Sequence, residues 1–283
     1  DVDFCKAVAA ATLGDASKVN YTTATGKTRF TKLAAGEGEI LSRNTTWTFS
    51  RDVDLSQTFI GVSYYDGQGF MAPKALGAKS AKDLDGASVC IQTGTTTELN
   101  LAEFFSQNKI KYNPVPIETN AEALELYKAG RCDAYTTDAS GLYSSIASLP
   151  VPSDHMVFPE IISKEPLGPV VRHGDDQWAD IVGWTLRAMM AGEELGVTSA
   201  NVKSLAGKDN KNKEINRLLG KDPLQGLSKL GLSKDWAVQV ISQVGNYEEV
   251  FEKNLGMSTP LKIARGANQL YRDGGLFYIP PIK

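Results

Sequence analysis

The chain has 283 residues, 42% of them hydrophobic and 22% charged, and a net charge of −3 from 30 basic and 33 acidic side chains. This is a globular composition, long enough for two domains, and the charge gives no electrostatic footing for nucleic acid or an anionic membrane. No apolar run approaches the roughly 18 residues that a bilayer-spanning helix needs. No signal-peptide pattern stands at Asp1, which says little of a processed or trimmed chain. The three cysteines, Cys5, Cys90 and Cys132, are too widely spaced for a metal knuckle or a redox pair. An odd count fits a reducing compartment, or one disulfide plus a spare thiol. A Cys90–Cys132 bridge and free buried thiols both stay open.

Taken in order, residues 1–13 read as a helix, with Val2, Cys5, Val8, Ala9 and Thr12 at helical spacing and Gly14 where a helix ends. Val19, Tyr21 and Thr23 alternate as in a strand, and residues 28–35 form a short helix stopped by Gly36. A strand is expected over 39–42 and another over 59–65, with Asp66-Gly67-Gln68-Gly69 as a turn and 70–73 extended. Strands over 87–92, 112–117, 132–137 and 155–158 then alternate with helices ending at Gln107, 120–129 and 139–149. That alternation argues for an α/β fold with parallel strands covered on both faces. From Pro169 the pattern turns helical, with 170–172 extended, helices over 176–191, 236–245, 247–254 and 260–271, and a lysine- and asparagine-rich turn over 207–217.

Chemistry concentrates at strand ends, where open α/β sheets bind ligands. The loop Ser42–Asp52 carries hydroxyls, an amide and two arginines, Arg43 and Arg51; a guanidinium there suits a carboxylate, and a solvated surface loop is the plainer reading. Thr93-Gly94-Thr95-Thr96-Thr97-Glu98 is a glycine turn onto a helix N-terminus, fit for an anion or for simple capping, since Thr precedes Glu by three residues. Asp138 ends a strand and starts a helix, so it is either an N-cap or a partner for an ammonium. Together these groups match a zwitterionic amino acid, whose two charges each need a partner on leaving water. Enzyme readings come out poorly: His155 and His173 are the only histidines, no P-loop or GxGxxG stands in a strand-to-helix turn, and the acids form no metal cluster.

Several long runs then resemble one family. They are Ile40-Leu41-Ser42-Arg43-Asn44-Thr45-Thr46-Trp47-Thr48, Tyr64-Tyr65-Asp66-Gly67-Gln68-Gly69-Phe70-Met71, Gln92-Thr93-Gly94-Thr95-Thr96-Thr97-Glu98, Gly130-Arg131-Cys132-Asp133-Ala134-Tyr135-Thr136-Thr137-Asp138 and Ser163-Lys164-Glu165-Pro166-Leu167-Gly168-Pro169. They resemble the periplasmic amino-acid-binding proteins of bacterial polar amino acid ABC transporters (solute-binding protein family 3), in particular the general L-amino-acid-binding branch. The likeness covers essentially the whole chain.

The resemblance implies the α/β, two-lobed, hinged type II periplasmic-binding-protein fold, closing on its ligand. Lobe one is expected at 1–71 plus 170–283 and lobe two at 72–169, with two extended crossings as the hinge. Arg51 matches the arginine for the α-carboxylate, with Thr46 and Asn44 adding contacts. Thr96, with Thr95, matches the second lobe's carboxylate contact, and Asp138 the acid for the α-ammonium. Arg29 matches an arginine that meets side-chain carboxylates in glutamate- and aspartate-binding relatives, although a solvent-facing helix arginine is its plainer reading; Asn120 is a further candidate. The implied function is periplasmic capture of polar L-amino acids, acidic ones or their amides favoured, and delivery to a membrane permease, with no cofactor, metal or chemistry.

The departure is at the start. The family's first strand and loop precede the residues matching Asp1 onward, so the chain opens as the middle of a unit. Three outcomes are expected to be open: the segment lies outside this chain, a partner's strand fills the gap in a strand-swapped homodimer, or the protein is a remnant or sensing module without transport binding. The enzyme alternative is a dehydratase on the same fold.

Overall fold

The computed structural model describes all 283 residues, Asp1–Lys283. The chain opens with α1 (Val2–Leu13), followed by the short helices α2 (Arg29–Ala34) and α3 (Phe49–Asp54) and the strands β1 (Gln57–Phe59), β2 (Tyr64–Asp66), β3 (Gln68–Pro73) and β4 (Ser88–Gln92). Strands and helices then alternate: α4 (Thr96–Gln107), β5 (Asn113–Ile117), α5 (Asn120–Lys128), β6 (Ala134–Asp138), α6 (Ala139–Ala147) and β7 (His155–Val157). Two short strands, β8 (Glu165–Leu167) and β9 (Val170–Arg172), precede a helical remainder of α7 (Asp176–Glu194), α8 (Val202–Ala206), α9 (Lys213–Leu218), α10 (Leu227–Leu230), α11 (Trp236–Gln243) and α12 (Tyr247–Asn254).

The contacts divide the chain into two compact units. Unit 1 is Asp1–Thr22, Gly36–Tyr64 and Gly168–Lys283; unit 2 is Thr23–Ala35 and Tyr65–Leu167. Against the expected lobes of 1–71 plus 170–283 and 72–169, β3 lies wholly in unit 2, and the segment Thr23–Ala35 clusters there as well.

Unit 2 is built on a five-stranded mixed sheet in the order β5-β4-β6-β3-β7. Strand β4 runs parallel to β5 and β6, whereas β3 is antiparallel to β6 and β7. Alternation along each strand sends neighbours to opposite faces. Phe70, Ala72, Val89, Ile91 and Ala134 join Leu101 and Phe105 of α4 on one side. Met71, Cys90 and Tyr135 join Ala123 and Tyr127 of α5 and Leu142 of α6 on the other. Pro114 and Pro116 lie in β5, an edge strand, the place in a sheet that tolerates a missing N–H donor. Cys90 and Cys132 form a disulfide with Cα atoms 5.6 Å apart, which leaves Cys5 as the free thiol.

Unit 1 is mostly helical. Helices α1, α7 and α11 pack on one another through Ala7, Ala10 and Ala11, Val182 and Met189, and Trp236, Val240 and Ile241, all buried. Its strands are few: β1 pairs antiparallel with β9, Gln57 opposite Arg172 and Phe59 opposite Val170, and Leu41 adds an isolated bridge to Val170.

Several sequence expectations are corrected here. No strand forms over 19–23, and the one expected over 39–42 is reduced to the Leu41 bridge. The strand expected over 59–65 is split into β1 and β2, with Gly61 between them at φ +146°. The expected turn at 66–69 belongs to β2 and β3. Gly67 serves close packing rather than reversal, since a Cβ there would lie 2.2 Å from Ile161 Cγ2 and 2.9 Å from Ser163 O. The helix expected over 260–271 does not form. Lys262 sits at φ +48°, Ile263 N–H bonds Leu255 O, and Arg265 is clamped in place. Its guanidinium bonds both Glu193 oxygens at 2.9 and 3.1 Å and the Asn268 carbonyl at 2.7 Å, and it lies over the rings of Tyr247 and Phe251. Burial pushes the Glu193 carboxyl up and Arg265 opposes that shift. These tertiary contacts outweigh the local helical spacing of Leu261, Ala264 and Ala267.

Candidate ligand-binding site

In unit 1 the candidate groups are organised by α3. Thr48 caps it, its hydroxyl accepting from the Arg51 N–H at 3.3 Å. The helix inverts the usual amphipathic pattern: Phe49 is 83% exposed, while Arg51, two residues on, is only 9% exposed. Arg51 is therefore not a solvated loop arginine. Its Nη1 donates to the Thr46 carbonyl at 2.9 Å, and Thr45 and Thr46 are themselves buried. The segment is pinned on both sides, by Gly168 N–H donating to Thr45 O at 3.0 Å and by Trp47 stacking on Phe59 with centroids 5.5 Å apart. Asn44 is exposed and Arg43 half-buried. A guanidinium held this far from water needs anionic or carbonyl partners to offset its desolvation.

In unit 2 the turn into α4 is fixed by its threonines. The Thr95 hydroxyl caps the helix, accepting from Glu98 N–H at 3.2 Å and donating to Gln92 O at 2.6 Å, while Glu98 Oε2 accepts from Gly94 N–H at 2.9 Å. Capping thus occupies Thr95. Thr96 instead donates its hydroxyl to Glu165 Oε2 at 3.1 Å. The segment Thr23–Ala35 lies against this turn. A Cβ on Gly26 would come within 2.8 Å of Thr95 Cγ2, and Gly94, at φ +70°, approaches Lys27 Cα so closely that a Cβ would lie 3.1 Å away. This brings the start of α2 to the start of α4. Arg29, the first residue of α2, is 3% exposed with its guanidinium 5.0 Å above the Phe30 ring, so it is not the solvent-facing helix arginine that the sequence allowed.

Asp138 ends β6 at the start of α6 and is 5% exposed, yet its side chain makes no capping bond to that helix. Asp66 does that work instead: its Oδ2 accepts from the Ser140 N–H at 3.3 Å and from the Ser140 hydroxyl at 2.5 Å. Burial pushes the Asp66 carboxyl up, against the lowering influence of Ser140. Asn120 begins α5, which Thr119 caps; it is exposed, and its Oδ1 accepts from the Tyr135 hydroxyl. Sequence reasoning did not single out Gln68, Asp66 or Glu165. Gln68, fully buried, donates to Thr97 O at 3.0 Å and to Thr136 Oγ1 at 2.9 Å, tying the first turn of α4 to β6. Their one signal is polarity at inward positions of short strands.

No protein-family model matches the chain. It is 56% identical over 283 residues to the glutamate/glutamine/aspartate/asparagine-binding protein BztA of Rhodobacter capsulatus, which spans 100% of this chain and 83% of that protein. The chain belongs to the amino-acid-binding proteins of bacterial ABC transporters. A second member, the general L-amino acid-binding periplasmic protein AapJ of Rhizobium johnstonii, is 55% identical over 284 residues, again 100% of this chain and 83% of its own. Among solved structures, an ABC transporter periplasmic binding protein from Brucella ovis with glutathione bound is 52% identical, covers 100% of this chain and 88% of its own, and superimposes with a TM-score of 0.95. The fold of this family member is accordingly the α/β type II periplasmic-binding-protein fold. No helix of it is long and apolar enough to cross a membrane.

Proposed function

We propose that this binding protein captures polar L-amino acids, acidic ones or their amides favoured, in the bacterial periplasm and delivers them to the membrane permease of an ABC transporter, without chemistry of its own. The carrying observation is Asp138, a buried carboxylate at a strand end whose capping role has been taken by Asp66. An acid kept there at a desolvation cost is suited to an ammonium. Arg51, with Thr46 and Asn44, suits the α-carboxylate, and the N-terminus of α4 at Thr95 and Thr96 offers N–H donors for it. Arg29, buried near that helix start, suits a ligand side chain ending in a carboxylate or an amide carbonyl, and Asn120 is the remaining side-chain contact. The acidic and amide amino acids in the name of the Rhodobacter relative support this preference. The buried Cys90–Cys132 disulfide supports an oxidising compartment.

The Brucella structure favours one second reading. The glutamyl end of glutathione carries the same α-ammonium and α-carboxylate as a free amino acid, so the same groups would hold it. Thermal shift followed by calorimetry against the twenty L-amino acids and glutathione tests both. Glutamate, glutamine, aspartate and asparagine are expected to raise the melting temperature and to bind. A response to glutathione alone would replace the free amino acid by a γ-glutamyl peptide, and no response to any of them would end the transport reading.

A further inference from the structure

Two strands stand at the ends of the longer segment of unit 2, Tyr65–Leu167: β2 where it begins and β8 where it ends. They pair with each other, and each bears a carboxylate, Glu165 buried and Asp66 half-buried. Glu165 on β8 is 1% exposed. Its Oε1 accepts from Asn100 Nδ2 at 2.8 Å and from Ser163 Oγ at 2.7 Å, and its Oε2 accepts from the Thr96 hydroxyl at 3.1 Å. Thr96 and Asn100 are one turn apart on α4, so Glu165 grips the first turn of that helix along one face. Asp66 on β2 repeats the arrangement at α6. Its Oδ1 accepts from Gly67 N–H at 2.8 Å and its Oδ2 from Ser140, while the Gly67 carbonyl accepts from Ala139 N–H at 2.8 Å.

We propose that Glu165 and Asp66 are positioning residues, which hold the ligand-facing starts of α4 and α6 on the paired strands at the two ends of the Tyr65–Leu167 segment. The inference rests on the amino-acid-binding function proposed above and extends it to residues with no ligand contact. The chemistry favours positioning over bulk stability. An apolar residue would fill either place without the cost of burying a carboxylate, whereas an acid with several donors around it fixes one rotamer of each donor. Thr96 directs its hydroxyl at Glu165 Oε2. Its N–H at the start of α4 is thereby held in one direction. Asp66, by capping α6, does the same for the helix start beside Asp138.

The test is calorimetric titration of L-glutamate into the wild type, Glu165→Gln, Thr96→Val and the double variant, with the ligand-free melting temperature of each. Glu165→Gln and Thr96→Val are each expected to weaken binding about 10-fold. The double variant should lose no more than the worse single one, because Thr96→Val removes the Thr96–Glu165 bond and Glu165→Gln weakens the same contact. Losses that multiply in the double variant, or wild-type affinity in Glu165→Gln, would overturn the proposal. Should Glu165→Gln fail to fold, Asn100→Ala loosens Glu165 from a residue outside the ligand contacts and is expected to weaken binding several-fold; undiminished affinity there would equally overturn it. Wild-type protein that binds none of the four acidic and amide amino acids would instead end the function reading, and the inference with it, before any variant is measured.

Discussion

Asp138→Asn is expected to weaken L-glutamate binding by about 100-fold. The amide keeps the shape of the side chain but removes its charge and turns one acceptor oxygen into an NH2 donor, so a ligand ammonium loses its counter-charge. Truncating one member of a buried charge pair costs about 3 kcal/mol, which is about two decades in affinity. The start of α6 should be kept, because Asp66 and not Asp138 bonds its first turn. Arg51→Ala is expected to lose a similar factor from the carboxylate end. It should also lower stability, since it removes the bond to Thr46 O. Calorimetry paired with thermal denaturation separates the two. A structural role for Asp138 would show as a lower melting temperature with affinity preserved.

The second large effect is on unit 2 alone. The Cys90–Cys132 bridge closes a separation of 42 residues, and on the loop-entropy argument a cross-link of that span stabilises by about 4 kcal/mol. It joins the strand β4 to the residues leading into β6, within the cluster that includes Met71, Tyr127 and Tyr135. Cys90→Ala/Cys132→Ala is therefore expected to destabilise unit 2 by about that amount in urea denaturation followed by far-UV circular dichroism. Reductant should reproduce the loss in the wild type and have no further effect on the double variant. Trp47, Trp178, Trp184 and Trp236 all lie in unit 1, so tryptophan fluorescence serves as the internal control and its transition should move less. A loss of under about 1 kcal/mol would mean that the core around the sulfurs, and not the cross-link, sustains the sheet.

Unit 2 was largely legible in the sequence because its signals are local. Alternating strand residues, threonines at the starts of α4 and α5, and Gly130 after α5 mark these elements within a few residues, and the observed β4–α4–β5–α5–β6–α6 order follows them. Unit 1 was less legible where distant contacts override local pattern. Helix α3 hides because Phe49 and Val53 face solvent while Arg51 is buried, the reverse of what an amphipathic search detects. Residues 260–271 carry helical spacing, but the Arg265–Glu193 pair and the left-handed Lys262 hold them in another path.

The site shows the same division. The types of group were readable: an arginine, a helix N-terminus and an aspartate at strand ends. Which side chains are committed elsewhere was not. Capping and an ammonium contact were both open for Asp138 from its position. That Asp138 does not cap α6 goes with Asp66, 74 residues from the Ser140 it binds, and no local pattern carries that distance. Likewise Arg29 is buried in a segment whose Gly26 packs on Thr95, a contact between a glycine-containing loop and a threonine turn that neither segment announces.

The most direct test of zwitterion recognition is to titrate the protein with L-glutamate beside two analogues that each lack one end of it: glutarate, without the α-ammonium, and 4-aminobutyrate, without the α-carboxylate. If Asp138 and Arg51 each meet one of those charges, glutamate binds and both analogues are weaker by about 100-fold or more. Glutarate binding as tightly as glutamate would contradict the role of Asp138, and 4-aminobutyrate binding as tightly would contradict that of Arg51.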